Sequence, residues 1–246
     1  MTGSDEMTGD RSTIQAFYSV VRPYIPGTKR CVYNGVVMDK KYPFIEDHLP
    51  GEFSGLHPTY KRPNVAAIRQ YVSPSDTVVI VGAGQGVTTV VAARQAWRGT
   101  VHAYEPGSEW IELTKGTVRL NAVEDRVTLV ETSVGDVVTS QGSDTSAADE
   151  RDPGELPECD VMELDCEGAE TEIISDLGTL PHVIVVETHG FRGAPTEATV
   201  TALEDHGYGV TERMPVERGE KYANEHDAYV LVATRSDASH SRECRT

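Results

Sequence analysis

From Asn64 onward the chain alternates between two hydrophobic patterns. Short apolar runs read as strands: TVVIVG, TVHAYE, RVTLVET, CDVMELD, HVIVVET, GYGVTER and DAYVLVATR. Between them lie segments with helical spacing: NVAAIRQYV before the first strand, then GVTTVVAARQAW, SEWIELTKGTVRLNA, EGAETEIISDL and PTEATVTALEDHG. Strands that are apolar on both faces belong in a mostly parallel sheet covered by helices on each side. The last two runs have no helical pattern between them and are expected to pair antiparallel, as a hairpin closing a seven-stranded α/β sheet. Ahead of this region, Arg30 to Met38 (RCVYNGVVM) predicts a short hairpin turning at Asn34-Gly35. The segment after it is rich in Pro, Gly and aromatic residues.

These patterns divide the chain into a disordered N-terminus (1–12), an irregular cap (13–63), a main domain (64–235) and a disordered tail (236–246). Within the main domain, residues 139–158 are acidic and of low complexity. They exceed a normal connection and are read as a flexible loop. Tyr33, Tyr42, Phe44, Phe53 and Tyr60 of the cap are read as packing, with stacking on a sugar ring as the alternative. His48 and His57 lie in the same segment.

Charge changes the picture of partners. The 246 residues carry 39 acidic against 22 basic side chains, a formal net charge of −17. A surface of that sign repels phosphate backbones and anionic membranes, so no nucleic-acid partner is expected. Six of the basic residues are Lys and sixteen are Arg. This acid-rich, Lys-poor balance resembles that of proteins from halophilic archaea, whose salt screens such self-repulsion. No apolar run reaches the roughly 18 to 20 residues that span a membrane, and MTGSDEMTGDRST has no signal-peptide pattern, so the expected location is the cytoplasm. Cys31, Cys159, Cys166 and Cys244 form no CxxC pair and are read as free thiols.

The candidate chemistry starts at TVVIVGAGQGVTT, residues 77–89, a strand running through three alternate glycines into a helix. A phosphate-binding P-loop needs a Lys after its last glycine, and none follows Gly86. A dinucleotide loop needs GxGxxG, and here the third glycine comes one residue early, leaving Val87 in its place. What remains is GxGxG at Gly82, Gly84 and Gly86, followed 19 residues later by Glu105 at the end of the second strand. A carboxylate there can accept both hydroxyls of a ribose, which suits S-adenosylmethionine, a nucleoside ligand with no phosphate.

VVIVGAGQGVTTVVAA, VHAYEP, RLNAVEDRVTLVETSVGD, DVMELDCEGAETEII and VIVVETHG together resemble, in order, the blocks of the FkbM-family methyltransferases. The most specific piece is LDCEGAE, Leu164 to Glu170, which is similar to the family's D-x-E-G-A-E block. The resemblance implies a Rossmann-like seven-stranded methyltransferase sheet, S-adenosylmethionine as cofactor and O-methylation of sugars or other small hydroxyl or carboxyl acceptors, a glycolipid precursor among them. It implies further that Gly82, Gly84 and Gly86 line the cofactor, that Glu105 holds the ribose and that Ser133 and Val134 flank the adenine. Asp165 would face the methyl-transfer centre. At Ile80 the chain departs from the family, which has an acid there.

Methyl transfer to an alcohol needs a base to take its proton. Asp165 with Glu167 in LDCEGAE, and Glu187 with His189 in VETHG, lie at the ends of the fourth and fifth strands, which are expected to face the same cleft. Asp165, His189 and Glu167 are the catalytic candidates, His189 because an unperturbed imidazole titrates near neutrality. No metal is assigned. The alternative, that Asp165, Glu167, Glu187 and His189 hold Mg²⁺ or Mn²⁺, has no sequence signature. Two other readings stay open at this level: an NAD-dependent oxidoreductase, and a non-catalytic binding protein that keeps the fold.

Overall fold

The computed structural model describes residues 29–40, 56–135 and 149–235. It opens on the expected hairpin, β1 (Lys29–Tyr33) and β2 (Val36–Lys40), paired antiparallel. Asn34 and Gly35 turn it with φ of 51° and 84°, both left-handed, which is the geometry that Asn-Gly supplies. A short strand, β3 (Leu56–His57), joins β1 in parallel. Cys31, Tyr33, Val36 and Met38 are buried in the core that α-helices share with the main sheet, so this cap is packed, not loose. Tyr33 stacks on His57 at 4.3 Å and meets Tyr60 edge-on at 5.0 Å, which makes packing their role here. Tyr42, Phe44, Phe53 and His48 lie outside the described residues, as do the two termini and Cys244.

The main domain follows the predicted alternation: α1 (Arg62–Tyr71), β4 (Thr77–Val81), α2 (Val87–Gln95), β5 (Thr100–Tyr104), α3 (Ser108–Leu120) and β6 (Val127–Val130). Beyond β6 the chain forms β7 (Thr132–Val134), which pairs in parallel with β8 (Asp149–Arg151). The acidic stretch expected to be a flexible loop thus starts outside the described residues, but its second half from Asp149 is ordered and buries Pro153 and Leu156. Then come β9 (Val161–Leu164), α4 (Glu170–Ser175), β10 (Val183–Glu187), α5 (Thr196–Asp205), β11 (Tyr208–Pro215), α6 (Glu220–His226) and β12 (Tyr229–Arg235). Helix α6 separates the last two strands, contrary to the expectation of a bare hairpin. It buries only Ala223 and so shows no apolar stripe in the sequence. The two strands do pair antiparallel.

The seven strands run in the order β11-β12-β10-β9-β4-β5-β6, with β12 antiparallel to both neighbours. Strand β4 shows why the sheet is buried twice. Val78 and Ile80 face one core cluster while Val79 and Val81 face the other, all at most 4% exposed. Each such side chain contributes roughly 1.5 to 3 kcal/mol by leaving water. The chain steps outward from β4 to β5 and β6, then returns to β9 on the other side of β4. That reversal, between the carboxyl ends of β4 and β9, is the place where open α/β sheets bind ligands.

Candidate functional site

The glycine turn after β4 is fixed by backbone. Gly82, Gly84 and Gly86 all have left-handed φ, at 88°, 53° and 81°. At Gly82 the need is also steric, because a Cβ there would lie 2.0 Å from the carbonyl oxygen of Asp165. The turn therefore lies against the end of β9, with the Gly82 and Ala83 amides donating to the Tyr104 carbonyl at 3.0 Å. Glu105, just past β5, is 7% exposed. One carboxylate oxygen accepts the Gly84 N–H at 2.8 Å and the other the Gly107 N–H at 3.1 Å. Burial raises its pKa, and the two amides and Lys61 pull the other way. The carboxylate is thus aimed and held with lone pairs to spare, as a diol-binding group needs.

Beside this turn, at the ends of β9 and β10, stands a cluster of charge. Asp165 takes an ion pair from Lys61, which lies at the start of α1, just before the segment that carries the resemblance. The His189 ring enters from beyond β10 and is 7% exposed. Its Nδ1 meets Glu170 Oε1 at 2.8 Å. Its Nε2 faces Asp165 Oδ1 and Glu167 Oε2, each at 3.6 Å, and Glu187 Oε1 at 4.0 Å. Glu170 is fully buried and also accepts the backbone N–H groups of Cys166 and Gly168. Those bonds close the tight loop between β9 and α4, which delays the helix to Glu170. In that loop Glu167 has a φ of 59°, a left-handed conformation that is uncommon for a residue with a side chain. Arg192 reaches Glu167 at 3.0 Å.

Burial and neighbouring charge set the protonation of this cluster. For His189, burial opposes the charged ring, but the Glu170 hydrogen bond and the charges of Asp165, Glu170 and Glu187 outweigh it and push the pKa to about 9. For Asp165, burial is likewise outweighed, by Lys61 and His189, and the carboxyl titrates below its ordinary range. Lys61 is raised well above its ordinary value for the converse reason. Glu187 goes up to about 8, from burial first and the charge of Asp165 second. Near neutral pH the cluster therefore holds an ionised Asp165, a cationic Lys61 and an imidazolium at His189. The ring already carries its second proton, so it is not placed to act as the base that the sequence suggested.

The structure brings Gly82, Gly84, Glu105, Asp165, Glu167 and His189 to one end of the sheet. Gly86 opens α2 and packs against α3, where a Cβ would meet Thr114 at 3.1 Å. Ser133 and Val134 lie in β7; Val134 is a core residue and Ser133 is half-buried. Sequence reasoning gave no role to Lys61, Glu170, Arg192 or Glu163. The last was legible as an acid inside an apolar strand, VMEL. Glu163 is fully buried, accepts a hydrogen bond from Asn64 at 3.2 Å and is raised to about 7 by burial. It sits in register with Ile80, one strand over from the position where an acid was missing.

Comparison with known proteins follows this geometry. Ribosomal protein L11 methyltransferase of Bacillus cytotoxicus is 35% identical over 81 residues, which are 33% of this chain and 25% of the relative. The chain spans about a quarter of the length of the curated relatives it matches, 28% for the Bacillus pumilus protein. A solved structure of aTrm5 with tRNALeu superposes with a TM-score of 0.58 at 16% identity, covering 85% of this chain and 53% of that one. The chain has the methyltransferase fold. The structure of P. horikoshii TYW2 with MeSAdo shares this methyltransferase fold at a TM-score of 0.53 and 15% identity, over 84% of this chain and 69% of that one. No protein-family model matches the chain, so the likeness to the FkbM family stands as a resemblance.

The comparison corrects one expectation. Net charge argues against a nucleic-acid partner, yet the same methyltransferase fold occurs in a structure bound to tRNA, and that exclusion is withdrawn. The physical reason is range. Charges beyond about 8 to 10 Å are screened, so a sum over the whole surface does not decide what a cleft admits. Here Lys61, Arg192 and His189 stand among the acids of the cleft. Among the described residues no helix is long and apolar enough to cross a membrane.

Proposed function

We propose that the chain is an S-adenosylmethionine-dependent methyltransferase acting on an oxygen of a small hydroxylated or carboxylated acceptor, a saccharide first among them. The observation that supports this reading best is the Glu105 carboxylate, buried and held by two backbone amides beside the glycine turn, which itself lies on the backbone carbonyl of Asp165. The cofactor supplies an activated methyl group on a sulfonium. The chain aligns the acceptor for in-line displacement, an effect worth up to roughly 7 to 11 kcal/mol in ideal cases. Asp165, kept ionised by Lys61 and His189, takes the hydroxyl proton as the new carbon–oxygen bond forms. His189 and Glu167 border the same space, and Gly82, Gly84, Gly86, Ser133 and Val134 are the remaining cofactor-side candidates.

A second reading takes a nucleic acid as acceptor. It is favoured by Phe191, 49% exposed, edge-on to His189 at 5.9 Å and with Arg192 over its ring, a surface on which a base can stack. Calorimetric titration of the protein in molar KCl with S-adenosylmethionine, S-adenosylhomocysteine and NAD tests the cofactor. Binding of both adenosyl ligands without NAD is expected, and binding of NAD alone would overturn the reading. Transfer of labelled methyl to free saccharides or to RNA then separates the two acceptors.

A further inference from the structure

The mechanism proposed above leaves one buried carboxyl without a task. Glu163 in β9 and Asn64 in α1 are fully buried, and Thr88 in the first turn of α2 is 1% exposed. The Asn64 amide donates to Glu163 Oε1 at 3.2 Å, and Thr88 stands near enough to lower the pKa of the same carboxyl. Three oxygens of this trio have no hydrogen-bond partner among the described residues: Glu163 Oε2, Asn64 Oδ1 and Thr88 Oγ1. Leaving a buried polar atom unmatched is costly, and three of them on neighbouring side chains point to a group that meets them together. The trio adjoins the cleft. Asn64 lies three residues after Lys61, Thr88 two after Gly86, and Glu163 two before Asp165, on the same face of β9. The charges that act most on Glu163 are those of Lys61 and Asp165. Lys61 pairs with Asp165 and forms no ion pair with Glu163 among the described residues. Ile80, opposite Glu163 in register on β4, is apolar and has no donor to offer it.

We propose that Glu163, Asn64 and Thr88 receive the primary ammonium group at the end of the amino-acid tail of S-adenosylmethionine, an inference that rests on the cofactor reading above. The chemistry of the set selects this group. An ammonium has three N–H donors and no acceptor, and the unmatched atoms are three oxygens able to accept. A carboxyl among them favours a cation and repels the carboxylate of the same tail. A cation beside Glu163 also keeps its carboxyl ionised, against the burial that raises its pKa to about 7. The ammonium reaches the trio past Lys61 and Asp165, whose side chains are 14% and 10% exposed, and Lys61 has a flexible stem that can give way. Glu105 and Glu163 then divide the ligand between them: one holds the ribose, the other the tail.

The test titrates the whole protein, in molar KCl, with S-adenosylhomocysteine and with its deaminated analogue, which differs only in lacking the amino group of the tail. The unsubstituted protein should bind the first at least about tenfold more tightly than the second. Glu163→Gln should remove most of that preference and leave affinity for the deaminated analogue within about twofold, because the lost interaction is with the ammonium alone. Thr88→Val, close in shape, should lower the preference about threefold, and it keeps the question answerable if Glu163→Gln folds poorly. Equal binding of the two ligands by the unsubstituted protein, or a preference that survives both substitutions, means that the trio holds an ordered water only. Either result overturns the ammonium site and spares the methyltransferase reading. Binding of neither adenosyl ligand overturns both.

Discussion

The glycine turn after β4 and the acid cluster at the ends of β9 and β10 are neighbours in space, touching where Gly82 lies on the Asp165 carbonyl. They are held by different physics. The turn is backbone: three left-handed glycines and amides that point at Glu105. The cluster is side-chain charge assembled from three separate segments, and Asp165, Glu187, His189 and Lys61 all titrate away from their ordinary values. The turn should therefore be intolerant of shape and indifferent to pH, and the cluster the reverse. Each prediction below attacks one side of that contrast.

The largest effect is expected from Gly82→Ala. Left-handed strain and a Cβ at 2.0 Å from Asp165 O together cost at least about 3 kcal/mol and push the two halves apart. Thermal unfolding should show that loss at every pH, and S-adenosylhomocysteine binding should disappear.

Next comes Glu163→Gln. An unfolded Glu titrates near 4.5 and this one near 7 when folded, so the native state holds the extra proton between those values. Its contribution is present at low pH and is lost as pH rises through that window, by about 3 kcal/mol. Glutamine has no proton to lose. The variant's unfolding free energy should be flatter across that window than that of the parent protein, and an unchanged slope would refute the assignment.

A smaller loss is expected from Glu105→Gln, which keeps the size but removes the charge proposed to hold the ribose. S-adenosylhomocysteine affinity should fall by about 2 kcal/mol, roughly thirtyfold in Kd, with little change in stability. The smallest effect sharpens the cluster's side. Glu170→Gln takes away the charge behind His189, and the ring pKa, about 9 in the folded protein, should drop by at least about one unit in an NMR titration. His189 is raised above the unfolded value of 6.5, so it stabilises below that pH and the contribution is lost as pH climbs toward 9. Weakening the shift should make stability less dependent on pH in that range.

How much of this was legible in the chain follows the same division. The strands, the glycine turn and Glu105 were readable because each depends on residues close together in sequence: five apolar positions for β4, three glycines at alternate positions, one acid ending the next strand. Helix α6 escaped notice because a single buried alanine makes no pattern. Lys61 was assigned to the cap, yet its ammonium lies on Asp165, more than a hundred residues away in sequence. His189 was selected as a base from its unperturbed pKa, a property that Glu170, Asp165 and Glu187 then altered. The missing acid at Ile80 could not be balanced against Glu163 without the register of β4 on β9.

The sequence by itself determined the sheet, the direction of its strands and the glycine turn, because backbone conformation and burial periodicity are local properties. Tertiary structure alone decided which charges meet. Electrostatic energies depend on distances of a few ångströms and on exclusion of water, and neither is encoded in spacing along the chain. That is why Asp165, one residue in a recognisable block, becomes a lowered, lysine-paired carboxylate facing an imidazolium only after β4, β9 and β10 have been set side by side.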